Sequence, residues 1–169
     1  MNSTENKAVE IGSTAFFAMV RSSWKFRLFM LQKLPAAYFS GLKLEHADEE
    51  KSTVSIPFKW LTQNPFRSTY FASLSMAAEM STGILAMAHV YKRKPAVSML
   101  VTSVEGKFYK KAVSRTFFTC LQGGKIHQAI LAAISLHQPQ SIRALSSGYN
   151  SNNELVAEFW ITWSFKLKS

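Results

Sequence analysis

The stretch STYFASLSMAAEMSTGILAMAHVY, residues 68–91, decides how the rest of the chain is arranged. It has no proline, a single glycine (Gly83) and, His89 aside, one acidic or basic side chain, Glu79. The pattern predicts one helix of about 36 Å, at about 1.5 Å per residue. Lys92-Arg93-Lys94 followed by Pro95 forms its stop: cations favour the negative end of the helix dipole, and proline cannot continue the ladder. Before it, Asn64-Pro65 marks a turn within the loop 60–67.

Working outward, the flanking segments read mostly as strands. Leu42, Leu44 and His46 alternate with Lys43 and Glu45; Val54, Ile56 and Phe58 alternate with Ser55 and Lys59; the polar tract 48–52 turns between them. After the helix, residues 97–109, 115–121 and 141–149 read as strands, and Gly123-Gly124 opens a short helix with Ile126, Ile130, Ala133 and Ile134 on one side. The last strand is the clearest, with Phe159, Ile161, Trp163, Phe165 and Leu167 on one face. Upstream, Phe16, Val20, Trp24, Leu28 and Leu31 recur at helical spacing and predict one helix over residues 13–33. Six strands with a long helix after the second make an α+β domain, an antiparallel sheet wrapped around a central helix. Residues 1–37 are expected to form a helical extension packed on the domain built by residues 38–169.

Composition narrows the classes. At 169 residues, 47% hydrophobic and 18% charged, the chain is globular and of single-domain size. One cysteine, Cys120, excludes an internal disulfide framework and fits a reducing compartment. No targeting segment is evident, and the apolar stretch 68–91 holds too many hydroxyls, with Glu79 and His89, for a membrane span. A soluble, cytoplasmic protein is expected. Twenty Lys and Arg against ten Asp and Glu give a formal charge of +10, which favours an anionic partner.

Glu79 is the most informative residue. It lies on a stripe of mostly small residues, Ala72, Ser75, Glu79, Gly83 and Ala86, which lets a strand, a helix or a ligand come close. A carboxyl there loses water, so it either finds a cationic partner across a packing interface or raises its pKa. The second outcome suits a general base or nucleophile.

Asn64 and Glu79 stand fifteen positions apart, and Tyr70-Phe71-Ala72 begins six positions after Asn64. This spacing resembles that of hotdog-fold acyl-CoA thioesterases of the phenylacetate-degradation type, which carry Asn, then His-Gly-Gly, then a helical Asp or Glu. Residues 107–112, Lys-Phe-Tyr-Lys-Lys-Ala, resemble the aromatic-basic-alanine end of that superfamily's strand after the helix. Element order agrees over residues 38–168, and the N-terminal helix with the insertion at 123–137 resembles a thioesterase-like branch whose members are largely of unknown function. The resemblance implies a hotdog fold that binds acyl-CoA or a related acyl thioester, fatty or aromatic, with no cofactor beyond the coenzyme A of the substrate. Glu79 would activate water or attack the thioester, Asn64 would position the water or the carboxylate, and backbone N–H groups of Tyr70, Phe71 and Ala72 would hold the oxyanion. It further implies a homodimer, with a tetramer left open, and an acyl chain beside the helix near Ser75 and Gly83. Phe71 stands where the family uses glycine for close backbone approach, so a non-catalytic acyl-binding protein on the same fold is the alternative.

Arg67, Lys92 and Arg93, with Lys107, Lys110 and Lys111, are the cations that could hold the phosphates of coenzyme A; against this, helix termination explains the second cluster and a solvated strand edge the third. The aromatic-basic mix of 107–111 superficially suits nucleic-acid stacking, but no recognition motif accompanies it and no nucleic acid is expected. Arg21, Lys25 and Arg27 beside Phe16 and Trp24 could rest on an acidic membrane; capping the sheet or a dimer face is the expected role, and no membrane association is expected. His46, His89, His127 and His137 show no ligand spacing, so no metal is expected. His89 is expected to pack near the helix end, and Cys120 to be buried rather than reactive.

Overall fold

Period-two alternation builds the middle of the sheet. In the C-terminal strand Phe159, Ile161, Trp163 and Phe165 are buried, while Glu158, Thr162 and Ser164 between them are only partly covered. The computed structural model describes residues 3–168. Three helices, α1 (Ser3–Arg21), α2 (Ser23–Lys33) and α3 (Pro35–Ser40), precede strands β1 (Lys43–Ala47) and β2 (Ser52–Ile56). The long helix α4 (Phe71–Val90) follows, then β3 (Val97–Phe108), β4 (Thr116–Cys120), α5 (Gly123–Leu136), β5 (Gln140–Asn150) and β6 (Leu155–Leu167). The six strands form one sheet in the order β1-β2-β4-β5-β6-β3, every neighbouring pair antiparallel.

Helix α4 packs against β2, β4, β5 and β6, while α1 and α5 pack against α4 in turn. Its sheet-facing positions are small or hydroxylated: Ala77, Ala78, Ser81 and Thr82 are fully buried. Small side chains bring the helix backbone close to the sheet, and Ser81 Oγ is joined to Ser146 Oγ on β5 at 2.8 Å. On the sheet, Val54, Ile56, Phe118, Ile161 and Phe165 complete the core. Strand β3 pairs only with β6, so its other edge is open among the described residues.

Several expectations are corrected. The N-terminal segment is two helices because Ser22 is extended (φ −77°, ψ 103°) and interrupts the ladder. Serine competes for backbone hydrogen bonds and favours helix starts. The break re-aims the second helix: Phe26 and Met30 are buried, whereas Trp24, Leu28 and Leu31 turn outward. Pro35, just past the end of α2, opens a further short helix, α3, where its missing N–H costs nothing. In β1 the register shifts between Leu44 and His46, so His46 points to solvent and Ala47 takes the inward position. Helix α4 starts three residues later than its composition suggests: the Tyr70 N–H goes to the Thr62 carbonyl and the Thr69 N–H to that of Ala112, which holds this approach extended. Ala86 is fully buried and does not belong to the open stripe around Glu79.

Candidate active site

The less buried face of α4 carries Phe71, Ala72, Ser75, Glu79 and Gly83, and two cavities open along it. The cavity that contains Glu79 has a volume of about 490 Å³ and lies under α2. Phe16, Phe26, Met87, Met99 and Trp163 make its wall almost wholly apolar, with Lys33 the one other charged residue lining it. Trp163 is locked in place: its Nε1–H donates to Thr82 Oγ1 at 2.9 Å, and that hydroxyl donates to the Glu79 carbonyl at 2.9 Å. Glu79 Oε1 lies over Gly83, where a Cβ would stand 3.3 Å from it and 3.3 Å from the Trp163 ring. Gly83 therefore leaves the gap in which carboxylate and indole meet.

Among the described residues nothing donates a hydrogen bond to the Glu79 carboxylate and no cation pairs with it. Burial alone acts on it, and burial raises its pKa above the ordinary carboxyl value. Of the two outcomes open from the sequence, an ion pair across a packing interface or a raised pKa, the geometry has the second.

The second cavity, about 460 Å³, lies at the N-terminal end of α4. It gathers Asn64, Tyr70, Phe71, Phe108, Lys110 and Lys111, so residues far apart in the chain that carried the family resemblance share one cleft. Asn64 is busy within its own loop. Its Oδ1 accepts from the N–H groups of Phe66 and Ser68, and its Nδ2 donates to Ser68 Oγ at 3.1 Å. The amide of Tyr70 is consumed by Thr62, but those of Phe71 and Ala72 have no acceptor among the described residues. These two are the free donors at the positive end of the helix dipole. The rings of Tyr70 and Phe71 meet edge to face at 4.8 Å and are exposed at the cleft.

The remaining sequence candidates divide. Ser75 is half-buried one turn from Glu79 on the same face. Arg67 is exposed at φ +57°, with its backbone N–H tied to Asn64, and does not line the cleft. Lys92 and Arg93 lie past the other end of α4, about 30 Å away at about 1.5 Å per residue. Arg93 cannot serve as a phosphate ligand from there. It is buried, and its Nη1 donates to the His89 carbonyl at the helix end. His89 packs there too, its ring stacked on His127 at 4.1 Å. Cys120 is fully buried, and burial pushes its thiol up to about 11, which keeps it a neutral packing group. The residues that enclose Glu79, above all Trp163, Met99 and Phe26, carry no signal of that role in the sequence. They come from distant elements and only the fold assembles them.

This architecture is the hotdog fold. A scan of protein-family models and a search of curated proteins both find no match for the sequence. Solved structures do match. A Pseudomonas aeruginosa protein of unknown function, considered a probable thioesterase, superposes with a TM-score of 0.73 at 18% identity, covering 84% of this chain and 93% of that one. The PaaI protein of the E. coli phenylacetic acid degradation operon superposes at 0.60 and 13% identity, covering 89% and 96%. A thioesterase from Haemophilus influenzae gives 0.56 at 13% identity, covering 83% and 88%. In fold, then, the chain is a hotdog protein like these structures. Helix α4 is the described helix long and apolar enough to cross a membrane, and most of it is buried as the centre of this fold.

Proposed function

We propose that this protein is a cytoplasmic hydrolase of acyl thioesters, with Glu79 as the base or nucleophile. The observation that carries the reading is a carboxylate with no partner, in an apolar cavity, on the central helix of a hotdog fold. As base, Glu79 takes a proton from water as the water oxygen adds to the thioester carbonyl carbon. Negative charge then grows on the carbonyl oxygen, for which the free N–H groups of Phe71 and Ala72 are suited donors. Collapse of the adduct breaks the carbon–sulfur bond, and the proton held by Glu79 passes to the departing sulfur, releasing a carboxylic acid and a thiol and restoring the carboxylate.

Ala72 and Glu79 are separated by about 10 Å of helix at about 1.5 Å per residue, whereas an oxyanion donor acts over about 3 Å. One protomer thus brings the two halves of the machinery near each other but not onto one carbonyl. We assign catalysis to a homodimer in which the amide cleft of one copy meets Glu79 of the other. Support for that dimer comes from the open edge of β3, where Leu100, Val104 and Phe108 are exposed.

Cavity size favours an aliphatic chain over an aromatic one. A cavity of about 150 Å³ is enough to hold benzene, and this one measures about 490 Å³. Met80, Met87 and Met99 can repack around a flexible chain. For the phosphates of coenzyme A, Lys110 and Lys111 beside the cleft are better situated than Lys92.

Hydrolysis of a panel from butyryl- to palmitoyl-CoA, with phenylacetyl-CoA beside it, tests the proposal. We expect turnover with the longer aliphatic chains and a loss on the order of 10²–10³-fold in Glu79→Gln, the usual scale for a catalytic acid or base. The exposed rings of Tyr70 and Phe71 beside the free amides favour one second reading, an acyl-binding protein without turnover. No hydrolysis by either protein together with saturable acyl-CoA binding would establish it instead.

A further inference from the structure

Helix α2 is apolar on two opposite sides and has a protein partner on one. At about 100° per residue, Phe26, Phe29 and Met30 fall on one side, and Trp24, Leu28 and Leu31 on the other. The first side packs into the fold and roofs the Glu79 cavity. The second is exposed at 67%, 47% and 41% for Trp24, Leu28 and Leu31. A helix apolar all round is a buried helix, and among the described residues this stripe lacks a partner.

Charge says what kind of partner fits. Arg27 and Lys25 flank the outward stripe, one on each side, at the same angular spacing. Lys25 holds its ammonium 5.6 Å from the Trp24 ring, and Arg27 stacks its guanidinium on Tyr38 at 5.2 Å. From residue 11 to residue 44 the chain has no Asp or Glu, but it carries Arg21, Lys25, Arg27, Lys33 and Lys43. A second copy would set this cationic face against itself in a two-fold interface; Glu45, which shares a pocket with Arg27, is already held by Lys43 and Ser55 and cannot neutralise it. A nucleic acid would use the cations and leave the leucines in water. An anionic lipid surface satisfies both: leucines and tryptophan enter the acyl boundary, and lysine and arginine stay among the headgroups.

We infer that the outward face of α2 docks on anionic membrane, with Trp24, Leu28 and Leu31 inserted and Lys25 and Arg27 at headgroup level. The same helix would then touch lipid on one side and roof the apolar cavity on the other. The inference does not rest on turnover and can stand or fall without the hydrolase reading.

Co-sedimentation of the full chain with vesicles tests it, comparing phosphatidylcholine alone with an equimolar mixture of phosphatidylcholine and phosphatidylglycerol. Binding to the anionic vesicles only, weakened by salt, is expected. Trp24→Ala with Leu28→Ala, and separately Lys25→Glu with Arg27→Glu, should each weaken it on the order of tenfold or more. Leu136→Ala, an exposed leucine at the end of α5, should leave it unchanged. Circular dichroism melts matching the wild type will show that the outward substitutions leave the fold intact. Vesicle binding that survives both α2 double variants overturns the inference and leaves only diffuse charge attraction. Absence of vesicle binding overturns it outright; if Trp24→Ala with Leu28→Ala then also splits an oligomer in light scattering, the face belongs to a second copy.

Discussion

As the proposed base or nucleophile, Glu79 would face opposing demands from stability and chemistry. With no donor to its carboxylate, its pKa is raised in the folded state by burial alone. A raised carboxyl stabilises the fold fully below its unfolded pKa, and that contribution is lost as pH rises through the folded value. At neutral pH the ionised form therefore strains the fold, and Glu79→Gln should melt higher than wild type. The gap should close as the pH is lowered towards the ordinary carboxyl range, which thermal melts across a pH series will read. Hydrolysis should run the other way, rising with pH as the wild-type carboxyl ionises, with no such rise in the Gln variant. Gly83 invites a companion test. A Cβ there falls 3.3 Å from both Glu79 Oε1 and the locked Trp163 ring, tighter than ordinary contact. Gly83→Val should crowd the cavity and raise KM several-fold for long acyl chains, with butyryl-CoA affected less. Glu79 was legible in the sequence as the lone acid on a small-residue stripe, and Asn64 through its spacing to it. The cavity was not legible, because Phe16, Phe26, Met99 and Trp163 read as ordinary core residues until α1, α2, β3 and β6 converge on α4.

At the scale of elements, legibility followed the strength of the local pattern. Strand β6 shows its period over many residues and sits where that period puts it; α4, apolar almost all round, was legible from its composition and its stop signal, and begins three residues later than they suggest. The region before β1 failed at single residues. Ser22 breaks a continuous apolar stripe, and only packing decides which apolar side of α2 goes inward. Likewise the shift after Leu44 turns His46 out of a strand whose alternation had put it inside. The junction of α4 and α5 yields an expectation of its own. His89, from α4, is buried and stacked on the half-buried His127 of α5, with Arg93 beside them and Glu49 and Glu50 near His127. Burial foremost, then the His127 and Arg93 charges, lowers His89 to about 4 from 6.5. An unfolded histidine takes up its proton near 6.5, so between there and about 4 the unfolded chain holds more protons. Stability is then complete above about 6.5 and falls on acidification, by up to about 3 kcal/mol at about 1.4 kcal/mol per pH unit. Urea unfolding at pH 7.5 and pH 5, run on wild type and His89→Leu, will check this; the variant should lose much of the difference.

For the molecule as a whole, the open question of partners centres on β3. It is one of the longest strands in the sheet, with twelve residues, and only β6 pairs with it. An unpaired edge of that length is a template for another strand, and proteins usually blunt it with lysine, proline or a covering segment. Here the charges along it are few: Glu105 is held by Arg143, and Lys107 lies over the Trp160 ring, while Leu100, Val104 and Phe108 stand exposed between them. Both edges carry a register shift, but the other edge, β1, is short and charged, which protects it. The contrast favours association through β3, and association there is also what the divided machinery of Phe71, Ala72 and Glu79 calls for. Leu100→Lys with Val104→Lys adds two cations to one edge and twice that number to a symmetric interface, where they repel. Light scattering should then report a monomer in place of a dimer. Leu100 is exposed on the outer face and Val104, paired with Ile161, is half exposed on the inner one, so the melting temperature of one protomer should fall only modestly apart from the stability that dimerisation supplied. Hydrolysis should fall with the dimer and recover at protein concentrations high enough to restore it. If turnover per chain stays constant while the protein is monomeric, each protomer carries a complete site, and the shared-site assignment falls while the role of Glu79 stands.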